Sequence, residues 1–122
     1  MALTLATPNS LGTPGGSASL LYEGGIGVSA NDVVVQTADV SPFDTFLLMT
    51  TAGAAQILAS LDGTNYATAP LSLTDMGATT SDPVIVTAAN RIYRVRGKFK
   101  RLRVTQNGAT AVTAVSLMCS RT

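Results

Sequence analysis

The chain contains no histidine and no tryptophan, and it has a single cysteine, Cys119. Without histidine, the usual general base, the Ser-His and Cys-His nucleophile pairs and most zinc sites are excluded. One cysteine excludes an intrachain disulfide framework, and its place after a Val-rich run fits a small buried hydrophobe. Charge is scarce too: 12% of residues are charged, about half the usual share. No run approaches the roughly 18–20 apolar residues of a membrane-spanning helix. The opening "MALTLATPNS" lacks the basic flank and apolar centre of a secretory signal. These features predict synthesis in a cytoplasm and no membrane association.

What is present is a 122-residue chain, 46% hydrophobic, long enough for one domain with its own core. Alanine, threonine, serine and glycine dominate the remainder, side chains that suit flat, closely approached surfaces between strands and between subunits. Residues 1–16 hold Pro8, Gly12, Pro14, Gly15 and Gly16, a composition that predicts an extended N-terminal arm lacking regular structure. Such an arm is either frayed or laid across a neighbouring subunit. Residues 17–122 are expected to form a single all-β domain, an antiparallel, jelly-roll-like β-sandwich.

Strands are predicted near 18–22, 33–38, 45–51, 55–61, 84–88, 91–96, 101–106 and 111–118, separated by turn-forming residues. Asn107-Gly108 between two β-rich runs predicts a tight hairpin, because both residues tolerate positive φ. Residues 54–61 also fit a short helical stripe, but the alternation of Ile57, Ala59 and Leu61 with Gln56, Leu58 and Ser60 favours a strand. The expected core comprises Val35, Leu47, Ile57, Leu61, Ile85, Val95, Leu102, Val104, Val112 and Val115.

The carboxylates are Glu23, Asp32, Asp39, Asp44, Asp62, Asp75 and Asp82, all far apart in the chain. "DGTN" at 62–65 lacks the repeated aspartates and terminal glutamate of a calcium loop and fits a β-turn. "GGIG" at 24–27 has no following Lys-Ser/Thr and is not a phosphate loop. The expectation is a protein that is not an enzyme, with no cofactor and no metal.

Charge is also divided by sign. Every acidic residue precedes Asn90 and every basic residue follows it, with seven of the eight inside "RIYRVRGKFKRLRV", residues 91–104. These seven, Arg91, Arg94, Arg96, Lys98, Lys100, Arg101 and Arg103, are the candidate site. Side chains alternate faces along a strand. Arg94, Arg96, Lys98 and Lys100 share one parity, whereas Arg101 and Arg103 take the other, so the register flips across Gly97–Arg101. A turn or bulge there predicts an apolar face of Ile92, Val95, Phe99, Leu102 and Val104, and one cationic surface built from two adjacent strands. Binders of single-stranded nucleic acid interleave exposed aromatics with such charge. Here only Tyr93 offers itself, and the chain's isoelectric point is 7.9. A surface matched to carboxylates, within the protein or on an acidic partner, is preferred over a nucleic-acid grip.

Residues 89–118, "ANRIYRVRGKFKRLRVTQNGATAVTAVSLM", resemble the C-terminal half of small β-sandwich virion proteins of tailed bacteriophages. Residues 59–73, "ASLDGTNYATAPLSL", resemble the Asp-Gly hairpin and adjoining strand of the same proteins. The resemblance implies a structural virion protein, a capsid decoration (cement) protein that binds and stabilises a bacteriophage head. It implies the major capsid protein or other virion proteins as partners, a homo-oligomer (dimer or trimer), and location in the virion. A carbohydrate-binding sandwich of a tail or head fibre is the alternative, and a nucleic-acid-binding module comes third.

Overall fold

The computed structural model describes residues 4–11, 19–77 and 83–121. Among them the regular structure is entirely β: β1 (Thr4–Leu11), β2 (Ser19–Ile26), β3 (Val33–Gln36), β4 (Thr45–Met49), β5 (Ala54–Ser60), β6 (Thr74–Asp75), β7 (Tyr93–Arg96), β8 (Arg101–Asn107) and β9 (Val115–Ser120). A six-stranded sheet runs β1-β2-β9-β4-β7-β6 and a three-stranded sheet runs β3-β8-β5, with all pairings antiparallel. From β2 to β5, and again from β7 to β9, each strand lies in the opposite sheet from the one before it. That alternation makes the sandwich jelly-roll-like.

The alternation follows from burial. Tyr22, Phe46, Leu48, Val95 and Leu117 point inward from the large sheet, and Val35, Ile57, Leu102 and Val104 from the small one. Together they form one contiguous core. Two buried hydroxyls brace it: Tyr22 Oη accepts the Ala38 N–H at 2.9 Å, and Tyr93 Oη accepts the Ala88 N–H at 2.8 Å. The outer edge of β5 is covered, since Ala59, Ile57 and Ala55 carbonyls accept from Ala67, Leu71 and Thr87. Capping an edge in this way blocks pairing with stray strands.

Several expectations need correction. Thr4–Leu11 is not an unpaired arm; it forms β1 at the edge of the large sheet, with Pro8 opposite Tyr22. An edge strand is where proline is tolerated. Residues 1–3 and 12–18, including the expected boundary at 16/17, lie outside the described residues. Asn107-Gly108 is not a hairpin, because β8 and β9 belong to different sheets. Gly108 does adopt φ +86°, but the chain then runs through Ala114, at φ +50°, to the opposite layer. Residues 84–88 do not form a strand: Val84 makes one bridge to Leu73, and Thr87 is used to cap Ala55. Residues 54–60 are a strand, as alternation predicted.

Of the ten expected core residues, Val35, Ile57, Val95, Leu102, Val104, Val112 and Val115 are buried. Leu61 is 79% exposed and Ile85 52% exposed, both in connections rather than strands. Leu47 is half-buried on the outer face of the large sheet, because Phe46 and Leu48 take the inward positions of β4.

Candidate functional site

The basic stretch spans the passage from one sheet to the other. β7 ends at Arg96, and Gly97 then turns the chain away with φ +149°, donating to the Asp44 carbonyl at 3.0 Å. A side chain at 97 would meet the Phe99 ring at 2.7 Å, so only glycine lets that ring fold back there. Phe99 in turn packs against Phe46, with centroids 6.0 Å apart. Lys100 fixes the far side of the crossing, its N–H donating to Ser60 O at 2.9 Å and its carbonyl accepting from Val40 at 2.7 Å. β8 starts at the next residue in the small sheet.

The predicted flip of register is present, but its consequence differs from the expectation. β7 and β8 are not neighbours in one sheet, so the seven cations do not share one face. Arg94 and Arg96 lie on the outer side of the large sheet, level with Leu47 and Thr45. Arg101 and Arg103 lie on the outer side of the small sheet, level with Ser60 and Leu58. Lys98 and Lys100 sit on the rim between them. The cluster is a belt passing over one end of the sandwich, where the chain crosses from the end of β7 to the start of β8.

Neighbours within the chain hold several members of this belt. Arg91 pairs with Asp75 beside an open hollow of about 360 Å³ that also includes Met76 and Ile92. This pairing keeps the Asp75 carboxyl below the ordinary carboxylate range. Lys100 Nζ lies 3.6 Å from Asp39 Oδ2, and Lys98 Nζ donates to the Ser41 carbonyl at 3.4 Å. Lys98, Lys100, Leu61 and Phe99 border a second shallow depression of about 280 Å³. Arg103 stacks 4.0 Å over the Tyr66 ring and donates to Gln36 Oε1 at 3.0 Å, while Gln36 donates to the Tyr66 hydroxyl. Solvent screens exposed ion pairs such as Arg91–Asp75 and Lys100–Asp39, so they set geometry more than stability.

The aromatic residues also fall differently from the expectation. Tyr93 is 3% exposed and unavailable for stacking, and Ile92, expected on the apolar face, is exposed. Tyr66 is the tyrosine at the belt; nothing in the local pattern of "DGTNYAT" ties it to the basic stretch. A second surface also went unread. Leu21, Leu47, Met49, Ile92 and Met118 line a shallow apolar groove of about 160 Å³ on the outer face of the large sheet. "TFLLM" and "VSLMCS" place apolar residues at both parities, the signature of strands covered on both faces, and that signal could have found it.

Asp62, in the turn once compared with a calcium loop, accepts the N–H groups of Thr64 and Asn65 at 2.8 and 2.7 Å and the Asn65 side-chain amide at 2.8 Å. These donors hold its carboxyl far below the usual range. Among the described residues, no group of three or more carboxylates or cysteines could hold a metal ion. Cys119 is buried, and desolvation pushes its thiol up to about 12.

The geometry defines an all-β, two-sheet sandwich with a cationic belt and an apolar outer face. No family model matches the sequence, and no curated protein matches it. Among solved structures it is similar to the SPBc2 prophage-derived protein YomS, at 14% identity and a TM-score of 0.60, covering 95% of this chain and 96% of that one. Other similar structures include a cupin superfamily protein from Desulfitobacterium hafniense (9% identity, 96% and 78% covered, TM-score 0.44). A cupin domain from Bordetella pertussis is also similar (10% identity, 98% and 97% covered, TM-score 0.40). The likeness to the prophage-derived protein is one of fold over the whole length of both chains.

Proposed function

We propose that this chain is a structural protein of a bacteriophage particle, a capsid decoration protein that binds the outside of the head and stabilises it. The observation that carries the reading is the end-to-end fold likeness to a prophage-derived protein of nearly equal extent. The character of the surface supports it. Charge is sparse, and the cations gather in a belt over one end of the sandwich. A belt of this shape suits an end-on contact: Arg96, Lys98 and Arg101 can approach one acidic surface together only if the partner meets the rim. Each contact would be weak, and repetition by the symmetry of a shell would supply the avidity.

The test is rebinding. Purified chain is added to heads that lack it, and occupancy is measured for wild type and for an Arg96→Gln/Lys98→Gln/Arg101→Gln triple variant. The reading expects saturable binding at a fixed number of copies per head. The variant should bind more weakly, with a smaller dependence on salt, because rim charges steer docking. Absence of wild-type binding sinks the reading. Tight, salt-sensitive binding to a single-stranded oligonucleotide would favour the nucleic-acid alternative.

A further inference from the structure

The belt reaches the outer face of the large sheet only at Arg94 and Arg96 and leaves its apolar centre uncovered. The side chains of this face are fixed by strand register. Across β2, β9, β4 and β7, one row reads Leu21, Met118, Leu47 and Arg94. The row on one side reads Glu23, Ser116 and Met49, and the row on the other reads Ser120, Thr45 and Arg96. Ile92, exposed just before β7, extends the apolar strip beyond Met49. The face thus has an apolar centre, an acid on the β2 flank and arginines on the β7 flank.

That distribution is self-complementary. A two-fold axis running parallel to the strands between β9 and β4 lays β2 of one copy over β7 of the other. It also lays β9 over β4. Met118 then faces Leu47 of the second copy, and Leu21 lies against the aliphatic stem of Arg94. Glu23 arrives one row from Arg94, roughly 7 Å along the strand, within reach of a guanidinium. This charge contact forms twice, as an isologous interface requires. From this geometry we infer that the outer face of the six-stranded sheet is a docking surface for a second copy of the chain.

The size of the face sets the strength. Four strands about 4.8 Å apart and about six residues long make a contact of roughly 20 by 20 Å, on the order of 400 Å² per copy. A standard stable interface buries about 800 Å² per partner, so the dimer should be weak, with a dissociation constant on the order of 10–100 μM. The inference does not depend on the particle reading, since it concerns the purified chain in solution.

Sedimentation equilibrium of the full chain from about 1 to 500 μM tests it. The expected mass rises from the 12.5 kDa of one chain to twice that value. Leu47→Glu, with its fold checked by circular dichroism, should weaken association at least about 30-fold, the loss of a central contact. Glu23→Arg alone and Arg94→Glu alone should each weaken it, and the double swap should restore it by exchanging the partners across the two-fold. A wild-type chain that stays at 12.5 kDa throughout overturns the inference, including the case in which this face binds a different protein instead. So does a dimer unchanged by Leu47→Glu, or a double swap that dimerises no better than the single variants.

Discussion

Replacing Gln106 with methionine should destabilise the sandwich by about 1–3 kcal/mol, and the reason lies in where the chain leaves β8. Gln106 is fully buried, and its side chain ties down the segment that crosses to the other sheet. Oε1 accepts the Val112 N–H at 3.1 Å, and Nε2 donates to the Gly108 carbonyl at 3.0 Å. Methionine fills nearly the same volume, so little cavity cost arises. The Gly108 carbonyl belongs to an exposed residue and can turn to water, but Val112 is fully buried and its N–H would lose its acceptor. An unsatisfied buried donor costs about 1–3 kcal/mol, whereas a merely exchanged hydrogen bond costs less. Urea unfolding followed by circular dichroism measures the difference, with the denaturant slope expected to stay the same. Gln106→Ala should cost more, because a cavity is added to the lost acceptor. A methionine variant within about 0.3 kcal/mol of wild type would refute the view that this amide holds the crossing.

Three further outcomes follow from the same structure. Gly97→Ala should cost about 1–3 kcal/mol in urea unfolding, since φ +149° is strained for alanine and its Cβ would strike the Phe99 ring at 2.7 Å; a neutral result would mean that the crossing is not built as described. Cys119 should resist a thiol reagent in the native protein and react on unfolding, because its thiol is buried and pushed up to about 12; rapid native labelling would contradict the burial. Asp62 has a depressed folded pKa, so its stabilising contribution is present above the ordinary carboxylate pKa of about 4 and is lost as pH falls toward the folded value. Asp62→Ala should therefore lose most stability at neutral pH, with the gap to wild type starting to narrow only as pH falls below about 4, and a gap that widens in acid would reverse the sign.

The sandwich was legible because alternation survives in short strands: Val35, Ile57, Val95, Leu102 and Val115 all point inward as their parity predicts. Connectivity was not legible. Asn107-Gly108 supplies the positive φ of a turn, yet local turn chemistry cannot say which sheet receives the next strand. That choice is made by Val112, Val115 and Leu117, which complete the core from the opposite layer. The same gap in information affected the candidate site. Parity correctly located a break near Gly97, but a bulge within one sheet and a crossing between two sheets flip parity alike, and only the crossing sends Arg94 and Arg103 to opposite sides. The N-terminal stretch was misread for a related reason: Pro8 argues against an interior strand and is silent about an edge.

The central claim is that this is a particle component. The most direct measurement is quantitative mass spectrometry of particles purified from cells that express the chain, with copy number referred to the major shell protein. The account predicts the chain in intact particles at a fixed ratio to the shell protein, released in a defined denaturant or salt step before the shell itself comes apart. A chain abundant in the lysate but absent from the particles would contradict it.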